Sequence, residues 1–110
     1  MVSIGSMAAK EYTHPELSQV TLNAALQALS DPARVTILRA VIESEKGEIS
    51  CNEIPLQLSK GTVSHHFEAL RDAGLIRTRV EGTKCLSSLR REEFEERFPG
   101  LLRLVESEVV

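Results

Sequence analysis

From residue 59 to residue 65 the chain reads Ser-Lys-Gly-Thr-Val-Ser-His, and every side chain except that of Val63 is a short hydroxyl, a lysine, an imidazole or, at Gly61, absent. Such a set can lie close to a polyanion. Short hydroxyls and a lysine donate to phosphate oxygens or base edges, and the free N–H groups of a helix start attract phosphate. Ser59 reads as the N-cap of a helix and Gly74 as its stop. Between them Val63, Phe67 and Leu70 fall at i, i+4 and i+7, an inward stripe with His66 beside it. The opposite face carries Lys60, Ser64, Glu68 and Arg71, with Thr62 and His65 toward its rim. An ordinary solvated face would carry mostly Glu and Lys. His66 is open to two readings, a packed histidine bonded to backbone or one that faces outward.

After Gly74 the period changes from 3.6 toward 2. Ile76, Thr78 and Val80 alternate with Arg77 and Arg79, Glu81-Gly82-Thr83 supplies a turn, and Lys84 to Leu89 returns, which predicts a β-hairpin. Arg77, Arg79 and Lys84 put cations on its strands and tip, where they can follow the backbone of a neighbouring groove. Helix, glycine stop and basic hairpin together predict a mainly α chain with a small β-hairpin, a winged helix-turn-helix.

The charge distribution agrees with that placement. The formal net charge is −3, yet residues 60–91 sum to +4 between flanks of −3 and −4. Segregated charge of this kind presents phosphate with a basic surface while the acidic remainder limits non-specific association. The 110 residues suffice for one domain, and with 4% aromatics and no Trp its core must be aliphatic. A small aliphatic domain often gains burial by pairing with a copy of itself, so a homodimer is expected. Two cysteines are too few for a disulfide framework, no leader-like segment opens the chain, and no apolar run approaches a membrane span. A cytoplasmic protein without membrane contact is expected.

The elements that hold the helix and hairpin are read from caps and periodicity. Residues 1–13, rich in Ser, Gly, Ala and Met, are expected to form a flexible arm, and residues 14–110 the winged domain with terminal helices for dimerisation. Leu17, Val20, Leu22, Ala25, Leu26 and Leu29 predict one amphipathic helix from Pro15 to Ser30. Asp31-Pro32 opens a second, running to about Ser44, with Lys46-Gly47 as its stop. Ser50 with Glu53 three residues later reads as a capping box for a further helix, which Pro55 must cut short. Pro99-Gly100 should split the C-terminal segment into a piece near Arg91 to Phe98 and another from Leu101.

Leu29-Ser30-Asp31-Pro32-Ala33-Arg34, then Ser59-Lys60-Gly61-Thr62-Val63-Ser64-His65-His66-Phe67 with Leu70-Arg71-Asp72-Ala73-Gly74-Leu75-Ile76, and finally Glu81-Gly82-Thr83 resemble the ArsR/SmtB family of bacterial repressors. The resemblance covers about residues 15–90. It implies a homodimer, paired through its terminal helices, that binds double-stranded DNA at a palindromic operator, represses transcription and releases DNA when an effector binds. By position it implies a recognition helix from Lys60 to Ala73, with Ser59, Lys60, Gly61, Thr62, Ser64, His65 and Arg71 on the DNA side and Arg77, Arg79 and Lys84 on the wing. The effector is unknown, because the family's usual metal sites have no counterpart. Cys51 is followed by Asn52 and Glu53 rather than a second cysteine, and residues 90–110 hold no histidine. No metal and no cofactor are expected.

Cys51 and Cys85 are read as small buried hydrophobes, with a redox pair as the alternative in which Cys51, near a helix N-terminus, has a lowered pKa. The wing and the far end of the motif are expected to hold them too far apart to bond. The functional alternative to an operator-binding repressor is a winged-helix protein-interaction module without DNA binding. An enzyme is not expected, since His65-His66 lacks a companion Asp, Cys or Ser at a motif spacing and no glycine-rich phosphate loop is present.

Overall fold

A computed structural model describes residues 12–54 and 56–107 of the chain. Most of the expected arm, residues 1–11, and Pro55 with its expected helix-breaking role lie outside the described residues. The described elements are α1 (Leu22–Leu29), α2 (Pro32–Glu43), β1 (Glu48–Ser50), α3 (Lys60–Asp72), β2 (Ile76–Glu81), β3 (Lys84–Leu89), α4 (Arg91–Arg97) and α5 (Leu101–Ser107). The strands form one antiparallel sheet in the order β1-β3-β2.

The caps act where the residue types place them. Asp31 accepts from the Ala33 amide at 2.8 Å at the start of α2, and Ser59 accepts from the Thr62 amide at 3.2 Å at the start of α3. The expected hairpin forms, with Ile76 opposite Leu89 through Glu81 opposite Lys84, so that Glu81, read as part of the turn, is the last residue of β2, and Gly82 is at φ +64° in the turn. The C-terminal segment breaks between Arg97 and Leu101, as the proline and glycine there require.

Two expectations are corrected. The single helix from Pro15 is instead a short 3-10 turn at Leu17–Gln19 followed by α1. The physical reason is Thr21, whose extended backbone and Oγ1, accepting from the Ala24 amide at 3.0 Å, start a new helix. The second correction falls at Ser50. Glu53 does accept from the Ser50 amide at 2.8 Å, one half of a capping box, but no helix follows among the described residues of 51–58. Ser50 belongs to β1, paired with Leu86 of β3, and the backbone beyond it turns rather than coils.

Behind α3, the core is built from Phe67 and Leu70 against Ile37, Leu38 and Val41 of α2, Leu75 and Ile76 at the sheet entrance, and Phe94 and Leu102 of the last two helices. The segment before α1 has little backbone bonding of its own and is held by side chains. Arg90, only 6% exposed, donates to the Pro15 carbonyl at 2.8 Å and to both carboxylate oxygens of Glu93. That bonding, helped by Arg77, holds the Glu93 carboxyl down to about 2. Arg97 donates to the carbonyls of Leu17 and Val20. The Thr78 amide donates to His14 Nε2 at 2.9 Å, and burial together with Arg77, Arg90 and Arg71 holds His14 below the ordinary histidine value, which favours the neutral acceptor.

Gly74 joins this segment to α3. Its φ is +76°, and a β-carbon there would stand 2.8 Å from Leu17 Cδ1 and 3.3 Å from Val20 Cγ2. Gly74→Ala combines a left-handed backbone with an overpacked contact and is expected to cost about 2–4 kcal/mol. Urea unfolding should show a lower midpoint at an unchanged slope.

Candidate nucleic-acid interface

The N-terminal half of α3 is bare on one side and anchored on the other. Ser59, Lys60, Gly61, Thr62, Ser64 and His65 are all exposed, whereas His66, Phe67 and Leu70 are buried. His66 is thereby resolved to the packed reading. It is 8% exposed, and its Nδ1 stands 3.4 Å from Arg34 Nη1. Val63, read as core, is half-buried at the edge.

The exposed groups are chemically available to different degrees. The Ser59 hydroxyl donates to Thr62 Oγ1 at 2.9 Å, so it is engaged in the cap, while Thr62 has accepted one bond and keeps its own proton to donate. Lys60 has no carboxylate within ion-pair distance among the described residues. His65 Nδ1 lies 3.9 Å from Glu68 Oε1, a distance at which neither constrains the other much.

Gly61 separates fold from function within this patch. It sits inside the helix, where glycine costs about 1 kcal/mol relative to alanine. A β-carbon there would meet nothing within 4 Å, so no neighbour in the fold demands its absence. Without a side chain this position offers bare backbone to anything that approaches the exposed face of α3.

Three other predicted site residues are placed differently from the patch. Arg71 lies at the far end of α3, half-buried, with its guanidinium 4.3 Å from the centre of the Tyr12 ring and 3.3 Å from Thr78 Oγ1. The wing cations Arg77 and Arg79 are exposed but paired. Arg77 meets Glu93 at 3.1 Å, and Arg79 meets Glu48 at 3.0 Å and Glu81 at 2.9 Å. Lys84, at the tip, is exposed and without a carboxylate partner among the described residues. The residues that sequence reasoning missed are therefore Glu48 and Glu93, which no local pattern announces because each reaches the wing from another element, and Tyr12, which was counted with the arm.

A helix-turn-helix domain family matches residues 29–79. Over 78 residues the chain is 41% identical to the uncharacterised HTH-type transcriptional regulator YceK of Bacillus subtilis, covering 69% of this chain and 77% of YceK. It is 34% identical over 83 residues to the arsenical resistance operon repressor of Staphylococcus xylosus, covering 69% of this chain and 72% of that protein. A crystal structure of an ArsR family transcriptional regulator matches with a TM-score of 0.61 at 28% identity, covering 79% of this chain and 98% of that one.

The chain belongs to the ArsR family of transcriptional regulators. It is a winged helix-turn-helix regulator and not an enzyme.

In this ArsR family regulator the Asp31-Pro32-Ala33-Arg34 motif is a clamp. Asp31 and Pro32 start α2, and Arg34 turns back to donate to the Ala28 and Gln27 carbonyls at the end of α1 while touching His66 behind α3. The motif thus fixes α1, α2 and α3 to one another.

The cysteines are not where the sequence put them. Cys51 follows Ser50, the last residue of β1 paired with β3, and its amide donates to the Cys85 carbonyl at 3.2 Å. They are adjacent rather than too far apart to bond. Burial, reinforced by Cys85, pushes the Cys51 thiol up, the reverse of the lowering expected of a helix N-terminus, because no helix starts there.

Gly61→Ala distinguishes an architectural glycine from one that makes room for a ligand. The substitution is expected to stabilise the fold by about 0.5–1 kcal/mol. Duplex DNA binding should fall even so, as measured by fluorescence anisotropy beside thermal unfolding.

Proposed function

We propose that this regulator is an operator-binding repressor that works as a homodimer in the cytoplasm. Two copies pair through α1 and α5, each inserts the N-terminal half of α3 into the major groove of one half of a palindromic operator, and an effector releases the complex. The observation that carries the DNA-binding part is the patch from Lys60 to His65, exposed, short-chained and carrying a lysine without an internal partner, on a helix whose other face is fixed in the core. The printed name of the Staphylococcus xylosus relative, an operon repressor, supports repression as the sense of regulation.

Dimerisation rests on the surface that α1 and α5 leave uncovered. Leu22 is 53%, Leu26 47% and Leu104 64% exposed. A groove of about 380 Å³ between α1, α2 and α5 is lined by Leu26, Leu29, Val35, Leu101, Leu104 and Val105, among others. A contiguous apolar surface of this kind on a small chain marks an association site. A second copy of the same chain presents the same surface and satisfies it symmetrically.

Binding to duplex DNA from the upstream region of its own gene, measured across salt concentration, tests the reading. A repressor loses affinity steeply as salt rises, whereas a module that binds only protein partners shows no DNA binding at any salt. A folded dimer that fails to bind duplex at low salt would exclude the repressor. Lys60→Ala should weaken binding to all sequences and reduce the salt slope by about one, while Ser64→Ala or His65→Ala should change base preference. Leu104→Glu places a charge on an already exposed position. It should leave the monomer folded by circular dichroism, shift sedimentation from dimer to monomer, and abolish tight operator binding.

A further inference from the structure

The best-defined cluster of nucleophilic side chains outside the α3 patch lies where β1 ends against the wing. Cys51 and Cys85 fall opposite one another when the β1–β3 register is carried one residue past Ser50 and Leu86, and the Cys51 amide donates to the Cys85 carbonyl at 3.2 Å. Directly opposed antiparallel residues have Cα atoms about 4.5–5.5 Å apart, within the range a disulfide spans. Both side chains are half-buried and both are reduced. Two features connect this pair to the rest of the molecule. The Tyr12 hydroxyl is 3.2 Å from Cys85 Sγ, and the ring it belongs to carries the Arg71 guanidinium from the end of α3. On the other side Cys51 lines a cleft of about 300 Å³ that runs beneath the connector to Lys60, Val63 and Ser64 at the start of α3.

We propose that Cys51 and Cys85 are a reversible dithiol–disulfide switch, closed by exchange with a small-molecule disulfide, and that closing it lowers the affinity of α3 for DNA. The pair would supply the effector input for the repressor proposed above, and its effect on DNA rests on that reading. Among the described residues no group of three or more His, Cys, Asp or Glu side chains is arranged to hold a metal ion. The proposal uses the redox chemistry of the two thiols. Cys85, as thiolate, attacks one sulfur of the small disulfide RSSR, forming a Cys85–SR mixed disulfide and expelling RS⁻, which takes up the proton Cys85 lost. Cys51 then loses its proton and attacks the Cys85 sulfur, breaking the Cys85–SR bond and releasing the second RSH. The balance is two protein thiols and one RSSR giving one protein disulfide and two RSH. Cys51 is written as the second nucleophile because burial disfavours its thiolate.

The new bond ties Cys51, which lines the cleft beside Lys60 and Ser64, covalently to β3. It also removes the Cys85 thiol from the Tyr12 hydroxyl. That hydroxyl is pushed up to about 12, with the Cys85 hydrogen bond the largest cause. Tyr12 is the single tyrosine of a chain without tryptophan, so the absorbance of its phenolate reports on this one side chain.

The full chain is equilibrated in buffers of reduced and oxidised glutathione, and three quantities are read. Intact mass and peptide mapping should show a Cys51–Cys85 disulfide that dithiothreitol reverses. The ultraviolet titration of Tyr12 should move down toward the ordinary value of about 10 in the oxidised protein. Operator affinity should fall about five-fold or more on oxidation, the lower range of a coupling between sites. Cys51→Ser and Cys85→Ser should bind DNA in both buffers alike. Glutathione adducts without an intramolecular disulfide overturn the switch, as does a disulfide that leaves Tyr12 and DNA affinity unchanged. Reduced protein that binds no duplex overturns the repressor reading and with it the regulatory half of the proposal, while the mass and titration readouts still decide whether the dithiol closes.

Discussion

The close contact of Gly74 with Leu17 and Val20 is the constraint on which the placement of α3 depends. Helix α3 ends there in a left-handed residue, the backbone reverses directly into β2, and the turn before α1 packs on the reversal with no room for a β-carbon. One small residue therefore sets three relations at once: where the reading helix stops, at what angle the wing leaves, and how near the N-terminal segment comes. Because α3 is held from behind by this contact and by Phe67 and Leu70, its front needs no packing partner. That is what allows Lys60, Gly61, Thr62 and Ser64 to remain bare, since a helix face that must also stabilise the fold cannot be kept for a ligand.

The electrostatics of the same surface follow from the fold more than from the order of residues along the chain. Residues 60–91 carry a net +4, but β1 brings Glu48 onto Arg79 and α4 brings Glu93 onto Arg77, and both carboxylates come from the acidic flanks. Exposed pairs of this kind contribute little to stability, about 0–1 kcal/mol each. Their larger effect is on the field: Arg77 and Arg79 on the wing strands present paired rather than excess charge, whereas Lys60 and the tip Lys84 have no carboxylate partner among the described residues.

What was legible in the sequence was whatever a local rule determines. The cap at Ser59, the stop at Gly74, the alternation through Arg77 and Arg79 and a turn containing Gly82 are decided within a few residues, and each is present in the structure. The break at Pro99-Gly100 is of the same kind. Strand β1 was not legible, because the partner that makes Glu48–Ser50 a strand is β3, more than thirty residues away. Ser50 and Glu53 make the hydrogen bond that a capping box requires and still start no helix, so a local signal was real and tertiary pairing outweighed it. The neighbouring thiols were missed for the same reason, since the register that opposes Cys51 to Cys85 exists only once β1 does. Among the candidate site residues, Arg71 falls on the same face as Lys60 and Ser64 in a helical projection, yet its guanidinium is engaged by the Tyr12 ring and Thr78 Oγ1.

Helix α1 shows a further limit of periodicity, and one with a functional meaning. Its apolar residues are evenly spread in sequence, yet the small ones, Ala25 and Ala28, are turned inward, and the large ones, Leu22 and Leu26, outward. A helix that served only its own domain would bury the leucines, because full burial of a leucine contributes about 1.5–3 kcal/mol that an alanine largely lacks. Alanines inside let α1 lie close to α2, a packing that Arg34 secures by bonding the last carbonyls of α1. The leucines are then left for a surface that the monomer does not possess. The same inversion recurs at Leu104 of α5, across the groove from Leu26, so the two terminal helices together form one unsatisfied apolar face. The hairpin and α3 are assembled by one chain alone, whereas this face is left uncovered among the described residues.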